Sequence, residues 1–214
     1  MSFKINSFEE YQSAYQRSVA DPEGFWGDVA SHFDWRKPWD KVLDWTFEGP
    51  DVKWFTNSKL NITENCLDRH LATRGHQVAL IWEPNDITEK AKHFTYKELH
   101  AQVCRMANVL KRNGVQKGDR VCLYMPMIPE LMISVLACAR IGAVHSVVFA
   151  GFSANSLADR IQDAACKVVL TSDGIARGAK QTPAKRVVDD ALAHCPTVER
   201  VIVVDRCGWT PHME

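Results

Sequence analysis

The sequence has no GxGxxG turn and no GxxxxGK(S/T) loop, so it supports neither a dinucleotide-binding fold nor a P-loop nucleotidase. It has no serine within a GxSxG elbow, which disfavours a serine hydrolase. Neither sign of charge is in excess. Lys+Arg and Asp+Glu both number 26 among 214 residues, so bulk composition points to no nucleic-acid or anionic-membrane partner. An anionic substrate would have to be met by a local basic cluster. The N-terminal MSFKINSFEEYQSAYQRS lacks the apolar core of a signal peptide. No stretch approaches the roughly 18 uncharged apolar residues of a membrane span. The apolar run from Leu131 is interrupted at Ser134 and ended by Arg140, so a cytoplasmic protein is expected. The seven cysteines form no CxxC pair and none is spaced with histidine as zinc ligands are, so no metal site is expected. Most sit in apolar runs, as Cys122 and Cys138 do, and read as small buried thiols in a reducing compartment.

What is present divides near residue 70. Five tryptophans, Trp26, Trp35, Trp39, Trp45 and Trp54, lie in the first part, broken by Pro22, Pro38 and Pro50. Ser7 and Glu10 can form a capping box, after which Phe8, Tyr11, Tyr15 and Val19 fall at helical spacing. A few aromatics cannot build a core of their own, so residues 1–72 read as an extension that packs on a larger body.

The second part, residues 73–214, alternates strands with helices. QVALIWE (77–83), DRVCLYM (119–125), AVHSVVF (143–149), KVVLTS (167–172) and RVIVVD (200–205) read as strands. Thr95 with Glu98 opens a helix that ends at Gly114. Pro129 starts another, stopped by Gly142; Ser153 caps a third, and a fourth runs from about 183 to 194. Short continuous apolar strands rich in Val and Ile, separated by helices, predict a doubly wound α/β domain: a mainly parallel sheet with helices on both faces.

Ligands of such sheets bind beyond the carboxyl ends of the strands. Three loops therefore matter: Met125–Glu130, Phe149–Ser153 and Asp173–Lys180. The last places Arg177 and Lys180 beside Gly178 and Ala179, small residues that let an anion approach the backbone. Lys185 and Arg186 follow at a helix start. This is either a phosphate site or a solvated loop whose charges pair with Asp189 and Asp190. Gly151 is either a turn glycine that needs positive φ or a gap that admits a ligand. His145 reads as a satisfied histidine of a core strand, and His70 as structural.

Several collinear strings resemble the acetyl-CoA synthetase family of acyl-adenylate-forming ligases. They are LNITENCLDRH (60–70), ALIWEPND (79–86), the run from TYKELHAQ to FAGFS (95–153), Arg177-Gly178-Ala179-Lys180, and VVDDAL (187–192). DPEGFWGDVA (21–30) and WDKVL (39–43) resemble the extension that precedes the family's main domain. The resemblance implies the AMP-forming ligation of acetate to CoA through acetyl-adenylate, with ATP and CoA as substrates and Mg2+ in the whole enzyme. It implies that Gly151, Arg177, Gly178, Ala179 and Lys180 bind CoA, and that no catalytic residue lies here. Ala150 and Ala179 each stand where the family usually has glycine. The family's Ser/Thr/Gly-rich ATP loop and its adenylation lysine are not found. The chain is therefore expected to be the N-terminal part of such an enzyme, inactive alone. A propionyl-CoA synthetase fragment and a non-catalytic CoA- or nucleotide-binding module are the alternative readings. The expected partners are small molecules, with neither nucleic acid nor membrane.

Overall fold

Side-chain oxygens that cap helix starts, and left-handed glycines such as Gly114 and Gly142, mark where elements of this chain begin and end. The computed structural model describes residues 4–177 and 180–213. The chain forms two units, Met1–Asn61 and Ile62–Glu214.

In the first unit, the Ser7 hydroxyl accepts the Glu10 N–H and opens α1 (Phe8–Ala20). The Asp21 carboxylate caps α2 (Pro22–Ala30), which has proline in its first turn, where its missing N–H costs nothing. A hairpin follows, β1 (Leu43–Thr46) antiparallel to β2 (Asp51–Trp54). Trp35, Trp39 and Phe55 meet with ring centroids 5.1–5.4 Å apart. Among its described residues only Ala30 and Leu43 are buried apolar side chains, so rings packed on rings replace a deep core here.

The second unit starts with α3 (Ile62–Cys66), a 3-10 turn (Asp68–His70) and α4 (Leu71–Arg74). The segment expected as a first sheet strand is β3 (Val78–Trp82). It does not join the parallel sheet. It pairs antiparallel with β4 (Lys92–Thr95), a strand not expected from the sequence, to form a separate hairpin. The Thr95–Glu98 capping box then starts α5 (Tyr96–Arg112). Leu99, Val103, Ala107 and Leu110 line its buried stripe.

The remaining elements are β5 (Arg120–Met125), α6 (Pro129–Ile141), β6 (Val144–Phe149), α7 (Ala154–Asp163), β7 (Val168–Ser172), β8 (Ile175–Arg177), β9 (Lys180–Thr182), α8 (Ala184–Leu192) and β10 (Arg200–Val204). Four strands form a parallel sheet in the order β10-β7-β5-β6. After β6 the chain crosses back over β5 to β7, and the helices change face. Residues of α5 and α6 pack into one core cluster, those of α7 and α8 into another. Helices cover both faces, as the apolar strands require. The switch point lies between the carboxyl ends of β5 and β7, where doubly wound sheets take their ligands.

Candidate functional site

Because the four strands are parallel, the loops after β5, β6 and β7 leave the same edge of the sheet. The Asp173–Lys180 segment, expected as a loop, is a ribbon. β8 runs antiparallel to β9 with Arg177 and Lys180 as directly opposed Cα partners. The two residues are therefore neighbours in the backbone register, one on each strand, at the last pair of the ladder. Gly178 and Ala179, expected in the same cradle, lie outside the described residues.

Behind the ribbon, the carboxylate of Asp173, only 2% exposed, accepts four backbone N–H groups. Gly174 donates at 2.7 Å, Arg206 at 2.9 Å, Cys207 at 3.0 Å and Trp209 at 2.9 Å. Burial acts to raise its pKa, but the four amides together outweigh it and hold the carboxyl below the usual aspartate value. The exit of β7 is thereby tied to the segment that follows β10. Gly174 cannot be larger, since a Cβ there would stand 2.7 Å from the Trp209 ring.

The Gly151 turn follows β6. Gly151 is not in the left-handed region, so the turn does not demand glycine through positive φ. A Cβ at Gly151 would instead lie 2.5 Å from Cε1 of Phe149. The missing side chain makes room for that ring, which meets Phe152 edge-on at 5.9 Å. Ser153 then caps α7 through the Ser156 N–H. Ala150, Ile175 of β8 and Ala184 at the start of α8 belong to one buried cluster, so the turn and the base of the ribbon share a foundation.

Of the two readings left open for Lys185, the structure favours pairing with Asp189: the ammonium is buried, 2.6 Å from Asp189 Oδ1 and 2.9 Å from the His212 carbonyl. One helical turn separates Lys185 from Asp189, and pairing there spares a buried charge its desolvation cost. His145 is exposed rather than buried, because β6 is an edge strand.

Sequence reasoning missed a second polar feature on the α5/α6 face of the same edge. A cavity of about 190 Å³ is lined by Trp82, Lys92, Glu130 and Arg206 among others. Arg206 forms a two-pronged ion pair with Glu89 at 3.0 and 2.6 Å and lies 5.3 Å from the Trp82 ring centroid. The Trp82 indole N–H donates to the Met127 carbonyl at 2.8 Å. The Glu89 hydrogen bonds raise the Arg206 pKa. Arg206 thus already has an acid partner, and the arrangement clasps the β3–β4 hairpin to the sheet. No composition signal marks it, since Glu89 and Arg206 lie 117 residues apart. Gly151 is not among the residues that line this cavity or the 700 Å³ groove beside α8 and β10.

Among the described residues, no group of three or more His, Cys, Asp or Glu side chains could hold a metal ion. Burial pushes the Cys138 thiol up to about 12, so it offers no nucleophile at neutral pH. No helix among the described residues is long and apolar enough to cross a membrane.

A parallel sheet of this order with helices on both faces is a doubly wound α/β domain, a class whose ligands generally bind at the carboxyl edge of the strands. Residues 67–213 match the family described as AMP-binding enzyme, and the chain belongs to that family. Residues 11–66 match the acetyl-coenzyme A synthetase N-terminus. Acetyl-coenzyme A synthetase of Syntrophobacter fumaroxidans is 57% identical over 202 residues, 94% of this chain and 31% of that protein. Acetyl-coenzyme A synthetase 2 of Pseudomonas aeruginosa is 53% identical over 96% of this chain and 32% of that protein. A solved acetoacetyl-CoA synthetase from Streptomyces lividans superposes with a TM-score of 0.86 at 29% identity, over 97% of this chain and 31% of its own. The chain thus spans about a third of the length of the relatives it matches.

Proposed function

We propose that these 214 residues are the N-terminal part of an AMP-forming acetate–CoA ligase, with residues 1–72 as its extension and 73–214 as the first part of its ligase domain. Such an enzyme joins acetate and ATP into acetyl-adenylate with release of pyrophosphate, and the CoA thiol then displaces AMP. The observation that carries this reading is the collinear pair of family matches, 11–66 and 67–213, together with 57% identity to an acetyl-coenzyme A synthetase.

Within that reaction this part holds CoA in a cytoplasmic enzyme. The Gly151 turn and the Arg177–Lys180 ribbon tip form part of the seat for its phosphates. What supports this is the opposed register of Arg177 and Lys180 beyond the carboxyl end of β7. A planar guanidinium fork and a mobile ammonium at adjacent positions suit phosphate oxygens. Mg2+ belongs to the ATP-dependent half of the reaction, and no cluster of three or more His, Cys, Asp or Glu among the described residues could hold it.

Titration of the 214-residue chain with CoA by calorimetry tests the assignment. Binding that drops about tenfold with Arg177→Ala and again with Lys180→Ala is expected, as charge-assisted contacts to phosphate are worth roughly 1.5 kcal/mol each. A titration without heat in the wild-type chain overturns it. The same chain is expected to give no acetate-dependent pyrophosphate exchange, and measurable exchange would place adenylation within these residues.

A further inference from the structure

The phenol of Tyr124 is a buried polar group at the strand exits that the CoA reading leaves without a role. Tyr124 sits on β5, the strand between β6 and β7, and is 1% exposed. A buried hydroxyl is costly unless it is hydrogen-bonded. This one donates to the backbone carbonyl of Phe152, 28 residues away, at 2.9 Å. Phe152 also uses its N–H, which donates to the Phe149 carbonyl at 3.1 Å. Both backbone polar groups of the residue after Gly151 are therefore committed. The Phe152 ring is held as well, between Phe149 and the Arg160 guanidinium, which lies 4.9 Å from its centroid. On its other side Tyr124 is the Cα partner of Thr171 on β7, two residues before Asp173. A rigid central strand thus delivers one hydroxyl to the point where the exit of β6 meets the exit of β7.

We propose that Tyr124 is a positioning residue for CoA: its hydroxyl fixes the Phe152 carbonyl, and with it the Gly151 turn, in the conformation that receives the coenzyme. This rests on the CoA reading above. Ordering the turn in advance removes a cost that binding would otherwise meet, so the effect falls on affinity more than on folding.

Tyr124→Phe keeps the ring and deletes the one bond. Hydrogen exchange in the 214-residue chain is expected to show the Phe152 amide exchanging severalfold faster, with CoA binding about fivefold weaker, the factor for one buried hydrogen bond. Val103→Ala, in the α5/α6 core, serves as the control for general destabilisation, and it should leave both readouts unchanged. Incorporation of 3-fluorotyrosine at position 124 retains the O–H donor and should restore both. Unaltered Phe152 exchange in Tyr124→Phe overturns the proposal, and so does unaltered CoA affinity with a loosened turn. Absence of CoA binding in the wild-type chain removes the CoA reading instead; the exchange measurement then decides the positioning of the turn on its own.

Discussion

Asp173 gathers four amide donors onto one buried carboxylate, an arrangement that only the ionised form can use fully. Its native pKa lies below the ordinary value of 3.8, so in acid the unfolded chain takes up the proton first. The stability it contributes is complete above about pH 5, where the unfolded carboxyl is also ionised, and is lost as pH falls through the depressed native value. The urea midpoint of the wild type is accordingly expected to fall between about pH 5 and pH 3, with a shallower fall for Asp173→Asn. That variant should also be less stable at neutral pH by about 3 kcal/mol, because its amide leaves buried N–H groups unpaired. Ala165 offers the opposite sign. It ends α7 with φ +46°, a left-handed conformation in which a side chain is strained, while the neighbouring Cys166 N–H closes back onto Ile161 at 2.9 Å. Ala165→Gly should stabilise the chain by about 1 kcal/mol in a urea titration.

At the scale of elements, α6 shows how local signals and long-range ties divide the work. Proline at its start and Gly142 in the left-handed cap at its end, φ +75°, are readable from sequence alone. Its last turn is then tied to the turn Asp68–His70 by Arg140, whose fork donates twice to Asp68 at 2.8 Å. Those hydrogen bonds hold the Asp68 carboxyl below the usual range. Arg140→Ala should cost roughly 2 kcal/mol by chemical denaturation, since a half-buried carboxylate loses two charge-assisted bonds. The caps at Ser7, Thr95 and Ser153 were equally legible, because each needs only residues three positions apart. The hairpin of β3 and β4 was not. KHFT is too short and too polar to announce a strand, and its partner read as one more member of the parallel series.

For the second unit as a whole, the sheet ends at β6 on one side, where Val144, Val147 and Phe149 are 53%, 52% and 58% exposed. An edge strand with open backbone groups and apolar side chains is a template for pairing with another chain. Sedimentation of the 214-residue chain is expected to show concentration-dependent association that Val147→Lys reduces, because a lysine on the edge opposes strand addition. Association unaffected by that change would place the contact elsewhere.

The sequence by itself determined the alternation of elements, because periodicity, caps and left-handed glycines act over a few residues. It also carried the family resemblance, through long collinear strings. Only the tertiary structure decided which strands share a sheet and that Arg177 and Lys180 oppose one another across a ribbon. It likewise decided that Lys185, which the sequence could already pair with Asp189, also donates to the His212 carbonyl, and that Asp173 and Tyr124 reach across the fold to hold the strand exits. The reason is physical. Hydrogen bonds spanning 28 or 36 residues depend on how strands are ordered in the sheet, and no local pattern encodes that order.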